Sequence, residues 1–271
     1  MSAQPVAGRL AGKIAIVSGA GQTPGTTIGN GRAIALLFAR AGAKVLCIDR
    51  EEERAKSIAS EITAEGGLAA PFAADISLPD SAAAILDACT AAFGPPDILI
   101  NNVGIGDRGD GPAHKLTEDA FDRTLRINLK AAWLLTRAVM PGMLERRSGA
   151  IVNISSLASV AGGFQMAYEI SKAGLNRMTT STAMAGASRG VRCNAITPGL
   201  MDTPMAITGI SQKTGVPEDE LRAQRAARVP MKRMGTGWDT AYAALFLASD
   251  EAAYVTGAIL PVDGGGSVMI G

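Results

Sequence analysis

Several chemistries are short of the residues they need in this chain. Of its 271 residues only one is histidine, His114, which argues against a histidine-based metal cluster or nucleophile–histidine triad. Three cysteines, Cys47, Cys89 and Cys193, are far apart and odd in number. They make neither a metal-ligand spacing nor a disulfide framework, and read as reduced core thiols of a cytoplasmic protein. Lys and Arg number 26 against 25 Asp and Glu, a net charge of +1, so no nucleic acid or membrane partner is expected. No apolar run approaches the ~20 residues that span a bilayer. The first such run, 14–17, stands behind Arg9 and Lys13 and is too short for a secretory signal, so the chain is expected to be soluble and not exported. Aromatic residues are 4%.

Apolar residues nevertheless make up 47% of the chain, and 32 glycines accompany them. Small and branched side chains suit strands buried on both faces and helices packed closely on them. Short apolar runs alternate with longer helical patterns. Strands are expected at 14–17, 44–48, 68–74, 98–101, 151–154, 191–197 and 258–262. Helices are expected at 32–41, 51–65, 79–93, 118–146, 168–189 and 240–248, with Thr117 as an N-cap and Pro141 kinking or shortening its helix. Residues 199–237 read as irregular and charged. The alternation predicts an α/β fold: a single doubly wound Rossmann domain over 1–271, with a mostly parallel seven-stranded sheet and helices on both faces. Ligands of such sheets bind beyond the carboxyl ends of the strands.

The residues after each strand fit that expectation. Gly19 and Gly21 follow the first strand, and Gly29 and Gly31 open the first helix. Such glycines let backbone approach a pyrophosphate, whose charge a helix N-terminus favours. Asp49 ends the second strand, where a carboxylate accepts from adenosine ribose hydroxyls and repels a 2′-phosphate, favouring NAD over NADP. Arg50 softens that preference, and a helix-capping role for Asp49 fits the same position. Asp75 and Ile76 follow the third strand, and Asn101, Asn102, Val103 and Gly104 the fourth. Tyr168 and Lys172 are four apart and share one face of a helix, where an ammonium favours the phenolate. Ser155 and Ser156 end the fifth strand, Asn128 lies among apolar residues of the long helix, and Pro198, Gly199 and Thr203 follow the sixth strand.

In this order the motifs resemble those of the short-chain dehydrogenase/reductase family, from about Leu10 to Gly265. Two departures stand out. Six residues within 22–27 are inserted in the glycine motif, and the serine-to-tyrosine spacing is one residue short. The resemblance implies cofactor contacts by Gly19, Gly29, Gly31, Asp49, Asp75, Ile76, Asn102, Gly104, Tyr168, Lys172, Pro198, Gly199 and Thr203. It implies a catalytic set of Asn128, Ser156, Tyr168 and Lys172, with Asn128 holding a water that relays protons and with no metal. Hydride transfer between NAD, or NADP, and a small-molecule secondary alcohol or ketone is the expected reaction. An NADP-dependent 3-oxoacyl-type reductase and a non-catalytic dinucleotide-binding regulator are the alternatives. A homotetramer is implied, and 201–234 reads as a mobile substrate segment. Its Arg222, Arg225, Arg228, Lys232 and Arg233 read as a solvated face. Its methionines 201, 205, 231 and 234 fit a pocket lining or core packing equally.

Overall fold

Seven apolar segments lie side by side as one parallel sheet in the computed structural model, which describes residues 8–269. Along the chain these are β1 (Ile14–Ser18), β2 (Lys44–Asp49), β3 (Leu68–Ala73), β4 (Ile98–Asn101), β5 (Gly149–Ile154), β6 (Val191–Pro198) and, last, β9 (Ile259–Val262). Their spatial order is β3-β2-β1-β4-β5-β6-β9. The order reverses between β1 and β4, which opens a crevice at the carboxyl ends of those two strands.

Helices cover both faces, as buried parallel strands require. On one side, α1 (Asn30–Arg40) and α9 (Gly237–Ala248) bury Ile34, Leu37, Phe38 and Leu245 against Ala15 and Val17 of β1. On the other, α3 (Ser81–Ala92) and α5 (Ala131–Arg146) bury Ile85, Leu135, Val139 and Met143 against Ile14 and Ile16. Alternation along β1 thus feeds two cores. α2 (Glu52–Ala64) and α6 (Met166–Gly186) complete the layers. All three cysteines are buried and unbridged. His114 is exposed, on the loop after β4.

Two expectations need correction. The 118–146 helix is interrupted at its middle and not at Pro141. Thr117 caps α4 (Glu118–Leu125) by accepting from the Ala120 N–H, and a π-helical turn at Arg126–Lys130 precedes α5. α5 runs through Pro141 to Arg146, because Val139 and Met143 on either side are held in the core. The extra residue of a π turn redirects side chains locally, and here the turn contains Asn128.

Nor is 199–237 irregular. It folds into β7 (Met201–Asp202), α7 (Thr208–Thr214), α8 (Glu218–Arg228) and β8 (Gly235–Thr236), which pairs with β7. Glu218, Asp219 and Glu220 in the first turn of α8 and Arg225 and Arg228 in the last match the helix dipole. Ile207, Leu221 and Met234 form a small core of their own. Met201 is buried as well, whereas Met205 and Met231 are exposed. Arg222 is no solvated charge. It bonds Asp202, Glu218, Asp219 and Thr26. Thr26 belongs to the inserted loop, which is thereby seated on this segment. A Cβ on Gly25 would come within 2.7 Å of Pro204, so the loop packs there at backbone distance.

Candidate active site

The turn after β1 is shaped by close approach. Gly19 takes a φ of +66°, and a Cβ on Gly31 would stand 1.9 Å from the Gly19 carbonyl, so both positions demand glycine. The Asn102 side chain donates to the Ser18 and Gly19 carbonyls at 3.3 and 3.1 Å, tying the end of β4 to this turn. Ser18, which the sequence patterns do not single out, accepts from the Asn102 N–H and donates to the Ile100 carbonyl. The Gln22 side chain accepts from the Gly29 N–H and donates to the Thr27 carbonyl, closing the inserted loop on itself. α1 begins just beyond with no side-chain cap and no acidic residue in its first turn. Its first N–H groups suit an anion, and the residues present fit a dinucleotide pyrophosphate.

At the end of β2, Asp49 Oδ1 accepts from the Glu51 N–H at 3.0 Å, a cap-like bond. Its Oδ2 faces Gly21, where a Cβ would lie 2.6 Å away, so one oxygen borders the glycine turn. Arg50 points to Glu51 and is exposed. Asp75 closes a turn onto the Ser77 N–H and hydroxyl. Burial works against its charge, but those bonds together with the Arg50 and Arg126 charges outweigh it and hold the carboxyl below its usual range. The Ile76 side chain is buried in the core. Beyond β6, Gly199 lies against Asp263, where a Cβ would meet its Cα at 2.7 Å, and Thr203 is buried.

The catalytic candidates converge. Ser155 is buried and donates to the Lys172 carbonyl at 3.1 Å, whereas the Ser156 hydroxyl accepts from the Ala158 N–H at 3.1 Å and lies close enough to Tyr168 to bear on its phenol. Lys172, one turn after Tyr168 on α6, is buried and donates to the Ile154 carbonyl at 2.9 Å. Its Nζ lies 5.7 Å from the Tyr168 ring centroid, and a Cβ on Gly104 would be 3.0 Å from it. Burial pulls Lys172 down to about 8. Burial also pushes the Tyr168 phenol up, opposed by the Ser156 hydrogen bond. The sequence expectation of a phenol lowered by Lys172 is not met here: burial raises the phenol, and Ser156 rather than Lys172 opposes it.

Asn128 reaches the same place from the π turn. Its side chain accepts from the Ile105 N–H at 2.8 Å and donates to the Ile105 carbonyl at 2.9 Å and to Ser171 at 3.1 Å. Both ends of the amide are thus engaged in gripping the loop after β4. Beneath the site, Asn101 donates to Asn153 and Thr136, and Asn153 to Thr179, so β4, β5, α5 and α6 share one buried polar network. Sequence pattern does not mark Asn153, Thr136 or Thr179. Ordinary polar residues inside apolar elements announce themselves only by their partners. No group of three or more potential metal ligands occurs among the described residues.

Known proteins resemble the chain over nearly its full length. A family model described as enoyl-(acyl carrier protein) reductase matches residues 25–267. The 3-oxoacyl-[acyl-carrier-protein] reductase FabG of Thermotoga maritima is 35% identical, over 95% of this chain and 98% of its own. The 2-(R)-hydroxypropyl-CoM dehydrogenase of Xanthobacter autotrophicus is 37% identical, over 93% and 97%. The 2,5-dichloro-2,5-cyclohexadiene-1,4-diol dehydrogenase LinX of Sphingobium indicum is 37% identical, over 98% and 100%. A crystal structure described as a short-chain dehydrogenase/reductase from Burkholderia xenovorans superposes with a TM-score of 0.89 at 40% identity, covering 98% of this chain and all of that one. With the parallel sheet and the glycine turn, these likenesses mean that the chain belongs to the short-chain dehydrogenase/reductase family and is an NAD(P)-dependent oxidoreductase of alcohol and carbonyl groups.

Proposed function

We propose that the protein interconverts a small secondary alcohol and a ketone, with NAD as the preferred dinucleotide. The observation that carries this reading is the convergence of Ser156, Tyr168 and Lys172 beside Gly104 at the sheet's switch point. When bound, the nicotinamide supplies the hydride acceptor or donor. In oxidation Tyr168, as phenolate, takes the hydroxyl proton, and in reduction its phenol returns it. Ser156 orients the substrate oxygen, Lys172 holds the nicotinamide ribose, and Asn128 places the loop that carries Gly104. Gly19, Gly29 and Gly31 receive the pyrophosphate. Asp49 takes the adenosine ribose, Asp75 and the backbone of Ile76 border the adenine, and Asn102, Pro198, Gly199 and Thr203 border the nicotinamide half.

The same reading treats 1–271 as one domain with 201–234 as its substrate cover. Residues 1–7, 270 and 271 lie outside the described structure. It places the protein in the cytoplasm, in keeping with three unpaired thiols. It makes the protein a homotetramer. An open groove of about 680 Å³ on the outer face of α4, α5 and α6, lined by Leu125, Leu129, Trp133 and Met178, shares no residue with the site and suits contact with a second copy. A 3-oxoacyl-type reductase using NADP is the second reading, favoured by the likeness to FabG. A panel of secondary alcohols, ketones and 3-oxoacyl thioesters, each with both dinucleotides, tests the proposal through the nicotinamide absorbance. Turnover of simple alcohols or ketones with NAD supports the first reading. Turnover confined to acyl thioesters with NADPH supports the second, and none at all contradicts both.

A further inference from the structure

The helix that carries Tyr168 is capped from a distant loop. Gln165, at the cap position of α6, makes no side-chain cap bond. Asp110, on the loop after β4, does the work. One carboxylate oxygen accepts from the Ala167 N–H at 3.0 Å, and the other from the Tyr168 N–H at 3.0 Å. The Gly111 carbonyl takes the Met166 N–H at 3.3 Å. Residues 110 and 111 therefore satisfy the first three N–H groups of α6, which no intrahelical carbonyl reaches. Asp110 also accepts from the Gly111 N–H at 2.8 Å, which fixes the plane of its carboxylate.

We propose that Asp110 is a positioning residue for the proton transfer at Tyr168. The inference rests on the reading of Tyr168 as acid and base. Asp110 belongs to the loop that leaves β4 through Asn102 and Gly104. Asn128 grips that loop at Ile105, and the N-terminus of α6 grips it at Asp110. The turn facing the nicotinamide and the backbone bearing the phenol are thus parts of one bonded frame. Misplacement of reacting groups by 1 Å costs on the order of 100-fold in rate, so a frame of this kind bears on turnover and not only on stability.

Charge adds a second consequence. The positive end of α6 favours a phenolate in its first turn, and the Asp110 carboxylate cancels part of that field. The other groups facing this region are Ser156 and Lys172 beside Tyr168, Glu169, which accepts from the Gly163 and Gln165 N–H groups, and Asp107, which pairs with Arg123. None of these contacts the Tyr168 backbone N–H. Removing the charge of Asp110 should favour the phenolate, while removing one acceptor frees the end of α6.

Asp110→Asn and Asp110→Ala, compared with wild type and Tyr168→Phe, test this by kcat, KM, dinucleotide binding, melting temperature and pH profile. The expected result is a kcat reduced roughly tenfold in Asp110→Asn and nearer a hundredfold in Asp110→Ala. The half-rise of alcohol oxidation should move to lower pH in Asp110→Asn, with dinucleotide binding unchanged. A folded Asp110→Asn with the wild-type kcat and pH profile overturns the inference, even if it melts earlier, because Asp110 is then only a helix cap. If Tyr168→Phe is inactive while Asp110→Asn behaves as wild type, this inference alone fails. If Tyr168→Phe turns over normally, the reading of Tyr168 fails instead.

Discussion

Burial favours the neutral form of both titratable groups at the site, raising the Tyr168 phenol and lowering the Lys172 ammonium to about 8. Oxidation needs the phenolate and reduction the phenol. Alcohol oxidation should therefore gain rate as pH rises from neutral into the alkaline range, while ketone reduction loses it. Parallel pH profiles in the two directions would contradict this. Asp49 makes the cofactor prediction at the same scale. Its carboxylate borders the glycine turn, so NAD should be preferred in kcat/KM, and Asp49→Ser should weaken or reverse the preference by removing repulsion of the 2′-phosphate. An unchanged preference would leave only the bond to the Glu51 N–H as the role of Asp49. Individual residues were legible in the sequence where a motif fixes them locally. Tyr168 and Lys172 share a helical face, and the serines end a strand. The preference for Ser156 over Ser155 rests on the family resemblance, and the Ser155 hydroxyl is engaged with the Lys172 carbonyl. Asp110 was invisible, because its partners lie 57 and 58 positions away.

At the scale of elements, all seven strands of the sheet stand where apolar runs separated by turn residues predict them, most within a residue or two at each end. The long α4–α5 path was harder to read. Proline marks a lost donor, but packing on both sides of Pro141 holds the helix together, and the irregular turn falls instead where Asn128 turns inward. The 199–237 segment reads as irregular in sequence because α7 is only seven residues long and α8 is highly charged, with a small satellite core in place of a broad apolar stripe. Its docking on the inserted loop carries a prediction. Arg222 joins Asp202 and Glu218 to Thr26, and Glu218 also accepts from Thr208. Arg222→Ala should free both loop and segment, raising KM for dinucleotide and substrate together while changing kcat less. Wild-type KM values for both would show that the contact is only a surface pairing, which is typically worth under about 1 kcal/mol.

For the whole molecule, two claims follow from the surface and from the site. Trp133 is 43% exposed on the groove of α4, α5 and α6, an arrangement suited to burial between subunits. Sedimentation should give a mass near four times that of the 27.7 kDa chain, and Trp133→Glu should yield smaller species. A wild-type monomer at micromolar concentration would contradict the tetramer. The fold class was legible throughout, since a parallel sheet writes itself as alternating apolar and helical runs. Assembly was not, because an exposed helix face looks the same whether water or another subunit covers it. The central claim concerns hydride transfer with Tyr168 as proton carrier, and its most direct test is Tyr168→Phe, assayed by nicotinamide absorbance on a substrate that wild type turns over. The predicted result is a loss of roughly 10²–10⁴ in kcat with dinucleotide binding retained. Wild-type turnover in that variant would contradict the account.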